Sequence, residues 1–215
     1  MELNIIQTIA AHALPVVFAI TVHEASHGYA AKYFGDLTAQ KLGRITLNPL
    51  KHIDPFGTII LPALLFFATQ GKFLFGWAKP VPVNFANLKN PKKDMFWVAA
   101  AGPASNLVMA ILWAMLLKYG MQAPQTAAPF LIEMSKAGIG INLVLMVLNL
   151  LPLPPLDGGR IAVSLLPMNL AIKLSKVEKY GFMILIALMF TGILNQIMSP
   201  MINGVAQLIL RVFTY

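Results

Sequence analysis

The segment from His23 to His27 has the spacing of a metal-binding helix. It is His-Glu-Ala-Ser-His, an H-E-x-x-H pattern. Residues four apart lie on one face of an α-helix, so both imidazoles can reach the same ion. Glu24 stands beside the first histidine and can act as general base towards a water that the ion activates. The preceding apolar run, Leu14 to Ile20, predicts that the motif lies at membrane depth, where ionisable side chains are costly unless they are paired or functional.

A catalytic zinc usually has three protein ligands and keeps one position for water. The chain has no cysteine, so the third ligand must be a histidine or a carboxylate. His12 is too far from His23, about 16 Å along the helix. Asp157 is the best candidate, because a proline- and glycine-rich turn after a long apolar run can aim its carboxylate from irregular backbone. The alternative interpretation of Asp157 is a helix cap. The weaker candidates are His52, Asp36, Asp54, Asp94, Glu133 and Glu178.

The composition predicts that these groups are held by membrane helices. Hydrophobic residues make up 58% of the 215-residue chain and charged residues 11%, and the mean hydropathy is +0.72. Soluble domains have about 25% charged residues. The net charge of +8 would suggest nucleic acid in a soluble protein, but the lysines cluster between apolar runs, as they do in cytoplasmic loops of membrane proteins. We therefore expect contact with membrane lipids and no nucleic-acid partner.

Four apolar runs can cross a bilayer, which takes about 20 helical residues. The predicted spans are Ile5–Phe34, Met95–Leu117, Pro129–Leu151 and Gly181–Met198. A fifth run, Phe56–Thr69, is shorter and has Pro62 at its centre. Because it is short for a span, we predict a re-entrant hairpin or an interfacial segment.

Charge supports the re-entrant course of Phe56–Thr69, which has Lys51 and Lys72 beyond its two ends. If this run does not cross, all but three of the 16 Lys and Arg residues fall on one side of the membrane. The exceptions are Lys118, Lys136 and Arg211. This bias is typical of a cytoplasmic face and predicts an external N-terminus. The first and third spans then both end at the inner face, which brings Asp157 to the level of the two histidines.

Three motifs follow one another along the chain. The first is the H-E-x-x-H of His23–His27, and the second is G-P-x-x-N at Gly102–Asn106. The third is N-x-x-P-x-x-x-L-D-G, from Asn149 to Gly158. In this order the three motifs resemble those of the site-2 protease family of intramembrane zinc metalloproteases. The resemblance covers Ile5 to Arg160 and indicates a minimal member that has no room for a PDZ insertion or a regulatory domain.

The resemblance implies a zinc metalloendopeptidase that cuts a peptide bond in or near a transmembrane helix of another membrane protein. It implies one Zn²⁺ per chain with His23, His27 and Asp157 as ligands and Glu24 as catalytic base. It also implies that Asn149 lies near the substrate or the transition-state oxygen. Asn106 is a further substrate-binding candidate, although its position among small residues equally suits helix packing.

The fold class that we expect is an all-α polytopic membrane protein. It has about four transmembrane helices, a re-entrant hairpin, and short β segments at the cytoplasmic face within residues 41–48 and 78–84. Residues 1–215 are expected to form one membrane-embedded domain, with a catalytic core over 5–160 and C-terminal helices over 161–215. We expect a multi-pass protein of a prokaryotic cell membrane, with its active site towards the cytoplasm.

Two other functions fit parts of the sequence. A divalent-cation transporter could use the same intramembrane ligands, but such proteins often show paired repeats and ionisable residues through the whole membrane depth. This chain shows neither feature. A catalytically silent relative could bind membrane helices without cutting them, but Glu24 and Asp157 are both intact. The protease interpretation is therefore favoured.

Overall fold

The computed structural model describes residues 3–68, 70 and 76–214. Within these ranges the regular elements are helices, joined by turns and irregular connections. The α-helices are α1 (Ile5–Tyr33), α2 (Thr38–Lys41), α3 (Leu61–Ala68), α4 (Pro91–Gln122), α5 (Ala128–Asn149), α6 (Asp157–Leu165), α7 (Met168–Ser175), α8 (Glu178–Phe190) and α9 (Ile193–Phe213). The connections also contain 3-10 turns at Pro49–Lys51 and Phe85–Asn87 and a π-helical segment at Pro55–Ile60.

Four of the described helices are long and apolar enough to cross a membrane, which confirms the predicted number of spans. They are α1 with 29 residues, α4 with 32, α5 with 22 and α9 with 21. Large apolar side chains project from the outside of these helices; Ile6 is 75% exposed and Val108 is 56% exposed. Extensive apolar exposure of this kind suits a surface that faces lipid. The chain is therefore a multi-pass membrane protein.

The last span lies further along the chain than predicted. The predicted span is Gly181–Met198, but Thr191 and Gly192 divide this apolar run between α8 and α9. Gly192 has a φ of +76°, the left-handed conformation in which a glycine commonly ends a helix. The helix long enough to span is α9, which continues through Pro200. Because hydrophobicity is continuous across the break, composition alone could not locate it.

The run predicted to be re-entrant, Phe56–Thr69, is part of a short apolar helical segment that covers Pro55–Ala68. Thr69 and the flanking Lys72 lie outside the described residues. The segment is shorter than the four candidate spans. Its re-entrant course stays a prediction, since helix length alone does not define a path through the bilayer.

The predicted short β segments are wrong, since the described residues contain no strand. Residues 41–48 and 78–84 are instead joined through a side chain. The guanidinium of Arg44 donates hydrogen bonds to the carbonyl oxygens of Lys79, at 2.9 Å, and Pro80, at 3.2 Å. Pro80 and Pro82 have no N–H, so they cannot donate to a β ladder. Side-chain hydrogen bonds thus take the place of main-chain pairing.

The frame of the protein is formed by α1, α4 and α5, which pack against one another. Ala19, Ala110 and Ala114 are completely buried where these helices meet. Small residues let the backbones of membrane helices approach closely. Gly138 on α5 shows how close the approach is, because a Cβ there would lie 2.3 Å from the indole ring of Trp113. This three-helix frame positions both histidines of the motif.

Candidate metal centre

His23 and His27 project from one face of α1 and meet Asp157 at the first turn of α6. Their Nε2 atoms are 3.1 Å apart. Oδ2 of Asp157 lies 3.2 Å from Nε2 of His23 and 3.3 Å from Nε2 of His27. The three side chains are 9%, 12% and 13% exposed, respectively. The structure thus brings together the three residues that the sequence singled out, in a nearly closed environment.

The hydrogen bonds of the two imidazoles define where their protons lie. Nδ1 of His23 donates to Oδ1 of Asn106 at 2.6 Å, and Nδ1 of His27 donates to the carbonyl oxygen of Val98 at 2.7 Å. A carbonyl oxygen can only accept, so each Nδ1 must carry a proton. In the neutral tautomer each Nε2 then presents a lone pair towards Asp157. Partners of this kind orient the histidine ligands of metal ions.

The cluster fits a zinc ion. Three electron-rich atoms lie within 3.1–3.3 Å of one another. Tetrahedral zinc with bonds of about 2.0–2.1 Å would separate its ligand atoms by about 3.3 Å. Oδ2 of Asp157 is also buried with no hydrogen-bond donor among the described residues. A cation would remove the mutual repulsion of these atoms, and three protein ligands leave a fourth position open.

A glycine on α4 permits this helix to lie directly against the histidines. A Cβ at Gly102 would be 2.4 Å from Nε2 of His27 and 2.6 Å from Cε1 of His23. No side chain fits at such distances. The glycine of the G-P-x-x-N motif is therefore explained by close helix approach, and the asparagine of the same motif by its hydrogen bond to His23.

Asp157 is delivered by a tight turn between α5 and α6. The turn begins after Asn149 and ends where Asp157 starts α6. Gly158 and Gly159 allow it to fold back, because a Cβ on either would lie within 2.4 Å of backbone atoms of the turn. The proline- and glycine-rich sequence thus has a direct packing reason.

The remaining candidates occupy different positions. Glu24 is half-buried, and its Oε2 accepts a hydrogen bond of 2.6 Å from the N–H of Val81. Asn106 is completely buried, and its Nδ2 donates to the carbonyl of Ala19 at 3.3 Å and to Oδ1 of Asn142 at 2.9 Å. Asn106 therefore uses its amide within the protein, in contact with a histidine of the cluster. Substrate binding by this residue stays a prediction.

Asn149 does not join the cluster of His23, His27 and Asp157. Its amide donates to the carbonyl oxygen of Leu145 in its own helix, at 3.0 Å. It is half-buried at the last residue of α5, immediately before the turn to Asp157. A contact with substrate by Asn149 stays a prediction.

Sequence reasoning missed three groups around the site. They are the amide of Asn142, the carbonyl of Val98 and the N–H of Val81. Asn142 could have been noticed, because a polar residue inside an apolar span needs a partner. The other two are main-chain groups, which no residue type reveals.

His52 and Asp54 form a structured turn. Asp54 caps the segment that begins at Pro55, since its carboxylate accepts a hydrogen bond of 2.6 Å from the N–H of Gly57. His52 is 2% exposed, and its Nε2 is 2.9 Å from the carbonyl oxygen of Thr46. Neither residue belongs to a group of potential metal ligands among the described residues.

Comparison with known proteins identifies the class to which this fold and site belong. The sequence profile of peptidase family M50 matches residues 119–192, which include Asn149 and Asp157. YwhC of Bacillus subtilis (strain 168), which its name assigns to the zinc metalloproteases, is 40% identical over 205 residues, covering 94% of this chain and 90% of YwhC. Rip2 of Mycolicibacterium smegmatis (strain ATCC 700084 / mc(2)155), also named as a zinc metalloprotease, is 32% identical over 84% of this chain and 66% of its own length.

Rip2 of Mycobacterium tuberculosis (strain ATCC 25618 / H37Rv) is 28% identical over 82% of this chain and 65% of its own length. No solved structure matches the chain. The chain is a membrane metallopeptidase with zinc as its cofactor. It belongs to peptidase family M50, the site-2 protease family.

Proposed function

We propose that this protein hydrolyses a peptide bond in or near a transmembrane helix of another membrane protein, as a step of regulated intramembrane proteolysis. The observation that supports this most strongly is the cluster of His23, His27 and Asp157. The two histidines of this cluster belong to α1 and lie against Gly102 of α4. Both helices are long and apolar enough to span a bilayer. A bond cut at such a site belongs to a substrate that can enter between membrane helices.

In this proposal, Nε2 of His23, Nε2 of His27 and Oδ2 of Asp157 hold one zinc ion. When bound there, zinc supplies Lewis acidity, which polarises the scissile carbonyl and lowers the pKa of water towards about 7. Glu24 takes a proton from the attacking water and gives it to the leaving amine.

The surrounding amides have separate roles in the proposal. Asn106 and the carbonyl of Val98 keep the two imidazoles in one tautomer and orientation. Asn149 contacts the substrate or the transition-state oxygen. Its amide must then exchange its hydrogen bond to Leu145 for one to the substrate.

We further propose that the active site opens towards the cytoplasm of a prokaryotic cell. The clustering of basic residues on one side of the predicted threading supports this orientation. Gly102 and Asp157 face the C-terminal half of α1, which the same threading puts near the inner face. YwhC and Rip2 are bacterial proteins, which supports the proposed cell type.

Metal analysis tests the ligand set. Purified protein should contain about one zinc per chain, and both His23→Ala and Asp157→Ala should lose it, since two remaining ligands hold a catalytic zinc poorly. Elemental analysis gives the ratio. Full zinc retention by Asp157→Ala would refute the proposed coordination.

Activity is tested with single-span membrane proteins, each tagged at both ends, reconstituted with the enzyme in proteoliposomes. Cleavage should stop on zinc chelation and resume when zinc is restored. Glu24→Gln should keep its zinc and lose activity by about a hundredfold or more, because a positioned base contributes that much. Near-normal cleavage by Glu24→Gln would place the chemistry elsewhere. The same variant should retain uncut substrate during purification, which would identify it.

A further inference from the structure

Residues 77–81, which we call the strap, lie across α1 beside the catalytic motif. Val81 is 7% exposed and sits against Gly28, one helical turn after Glu24. A Cβ at Gly28 would lie 3.2 Å from the side chain of Val81 and 3.0 Å from that of Ile45. The bare glycine surface therefore lets the strap and the segment that contains Ile45 approach α1 closely.

The strap ends on the carboxylate of Glu24. The main-chain N–H of Val81 donates a hydrogen bond of 2.6 Å to Oε2 of Glu24. Charge-assisted hydrogen bonds of this length are among the stronger ones in proteins. A carboxylate held by one oxygen has a restricted side-chain orientation, while its other oxygen stays available to act on a proton.

The strap is held in place by groups outside α1. Arg44 donates from Nη2 to the carbonyl oxygens of Lys79 and Pro80, the two residues before Val81. The N–H of Lys79 donates to the carbonyl of His52 at 2.9 Å, and Oγ1 of Thr58 donates to the carbonyl of Trp77 at 2.8 Å. Arg44 is the anchor nearest to the bond with Glu24.

The charge of Arg44 has no acidic partner among the described residues. The hydrogen bonds that Nη2 of Arg44 donates to the strap are therefore its recorded polar contacts. Pro80 and Pro82 flank Val81 and stiffen the chain, since proline has a restricted φ. A stiff segment transmits the position of its anchored carbonyls to the next N–H.

We propose that Arg44 is a positioning residue for peptide hydrolysis: by fixing the carbonyls of Lys79 and Pro80 it sets the N–H of Val81 on Glu24 and so orients the base. This inference rests on the proposed function and adds a group outside the three sequence motifs. Among the described residues, Arg44 makes no hydrogen bond or ion pair with the two histidines or Asp157. Its effect passes through the main chain of the strap.

The first test measures how firmly the main chain of the strap is held, and it needs no activity assay. Hydrogen–deuterium exchange, followed by mass spectrometry of a peptide over 76–84, reports on few amides because Pro80 and Pro82 have none. In Arg44→Gln the amides of Lys79 and Val81 should exchange at least about tenfold faster, since the anchoring bonds are lost. Lys41→Gln removes an exposed charge from the same region and should leave this exchange unchanged. Unchanged exchange in Arg44→Gln would overturn the inference.

The second test separates positioning from folding. Arg44→Gln should keep its zinc and its melting temperature within a few degrees, while kcat falls about tenfold and KM changes less than about twofold, because misorientation of a base affects the chemical step. Arg44→Lys should restore part of kcat, since its ammonium can still reach one carbonyl. Should Arg44→Gln fail to fold, an amide-to-ester replacement at Val81 removes the N–H that binds Glu24 and also weakens the Pro80 carbonyl as an acceptor for Arg44. Both changes act on the proposed link from Arg44 to Glu24, so kcat should fall by a similar factor.

The outcomes for this inference and for the proposed function differ. Zinc-dependent cleavage by the unaltered protein, lost in Glu24→Gln, supports the proposed function. If kcat is then unchanged in Arg44→Gln and in the Val81 ester, the inference alone is wrong. If the unaltered protein shows no zinc-dependent cleavage of any of the tagged single-span proteins, both the proposed function and the positioning role of Arg44 are overturned.

Discussion

The asparagine of the second motif shows how one buried residue joins three helices at the site. Asn106 accepts from His23 on α1, donates to Ala19 on the same helix, and donates to Asn142 on α5. Asn142 in turn donates to the carbonyl of Gly138, one turn earlier in α5, at 2.8 Å. Because Nδ2 of Asn106 donates to Ala19 and Asn142, it is the Oδ1 atom of Asn106 that faces the imidazole of His23. This chain of amides therefore determines the tautomer of His23.

Removal of Asn106 should weaken zinc binding without removing a ligand. We expect the zinc affinity of Asn106→Ala to fall about 10- to 100-fold, the usual effect of losing a hydrogen-bond partner of a histidine ligand. Titration against a competing chelator measures it. Asn195→Ala is the matched control, because Asn195 is exposed on α9, and it should bind zinc normally. Equal affinities for the two variants would contradict the positioning role of Asn106.

At the scale of elements, one of the junctions near the site joins the end of α1 to the connection before α4. The residue at this junction is Asp36, which is completely buried and links the end of α1 to the 3-10 turn at Phe85–Asn87. Its carboxylate accepts hydrogen bonds from Thr38, from the N–H of Asn84 at 2.7 Å, and from Nδ2 of Asn87 at 3.1 Å. This junction supports the segment that follows the strap.

A methyl group at Gly102 should separate α4 from α1. In Gly102→Ala the new Cβ would overlap both imidazoles, so we expect the zinc affinity to fall at least about tenfold and the stability to drop by about 1–3 kcal/mol. Zinc titration and thermal unfolding in detergent measure these effects. Gly140→Ala on α5 is the control, because nothing lies within 4 Å of its added Cβ. Wild-type zinc binding by Gly102→Ala would show that this packing is not required.

Asp36 should make stability depend on pH in the acidic range. Burial raises the pKa of Asp36, but hydrogen bonds from Thr38, Asn84 and Asn87 outweigh it and hold that pKa below its ordinary value. The stabilisation is therefore complete above about pH 4, the ordinary value in an unfolded chain, and is lost as the pH falls through the lower folded-state pKa.

Asp36→Asn isolates this contribution to stability. At neutral pH the variant should unfold more easily by about 2 kcal/mol, because hydrogen bonds to a charged acceptor are lost. The difference from wild type should narrow below about pH 4, as followed by thermal unfolding in detergent. The exposed carboxylate of Glu178 provides a control, and Glu178→Gln should show little difference at any pH. If the difference in stability between wild type and Asp36→Asn did not depend on pH, the lowered pKa of Asp36 would be contradicted.

At the scale of the whole molecule, four long apolar helices with exposed apolar side chains are typical of a protein embedded in a lipid bilayer. The cluster of His23, His27 and Asp157 needs the end of α5 and the C-terminal half of α1 at the same level. With α1 and α5 separated by α4 and one short apolar segment, that requirement is met only if the short segment, Pro55–Ala68, does not cross. Coordination geometry and basic-residue distribution therefore support the same threading.

Cysteine labelling tests this threading directly. The chain has no native cysteine. We expect Lys51→Cys and Lys79→Cys, on the two sides of the short apolar segment, to react with a membrane-impermeant thiol reagent only from the cytoplasmic side of oriented vesicles. Gln122→Cys, at the end of α4, should react only from the opposite side. Labelling of positions 51 and 79 from opposite faces would mean that the segment spans the bilayer.

The sequence by itself determined the features that depend on local spacing. The i, i+4 histidines, the lengths of the apolar runs and the proline- and glycine-rich turn before Asp157 are properties of neighbouring residues, so a linear pattern reveals them. They were sufficient to predict four spans and the three residues of the cluster. The distribution of Lys and Arg also predicted the path of the chain through the membrane, because cytoplasmic loops contain an excess of these residues.

Only the tertiary structure decided which groups surround that cluster. His23 and Asn106 are 83 residues apart in the chain, and Glu24 and Val81 are 57 apart, so no local pattern links them. Main-chain donors and acceptors are present at nearly every residue, and packing alone selects the ones that reach a site. The two errors have different reasons. The missing β pairing depends on contacts between segments, whereas the break at Gly192 is a local turn in a left-handed conformation, which the hydrophobicity of the run does not show.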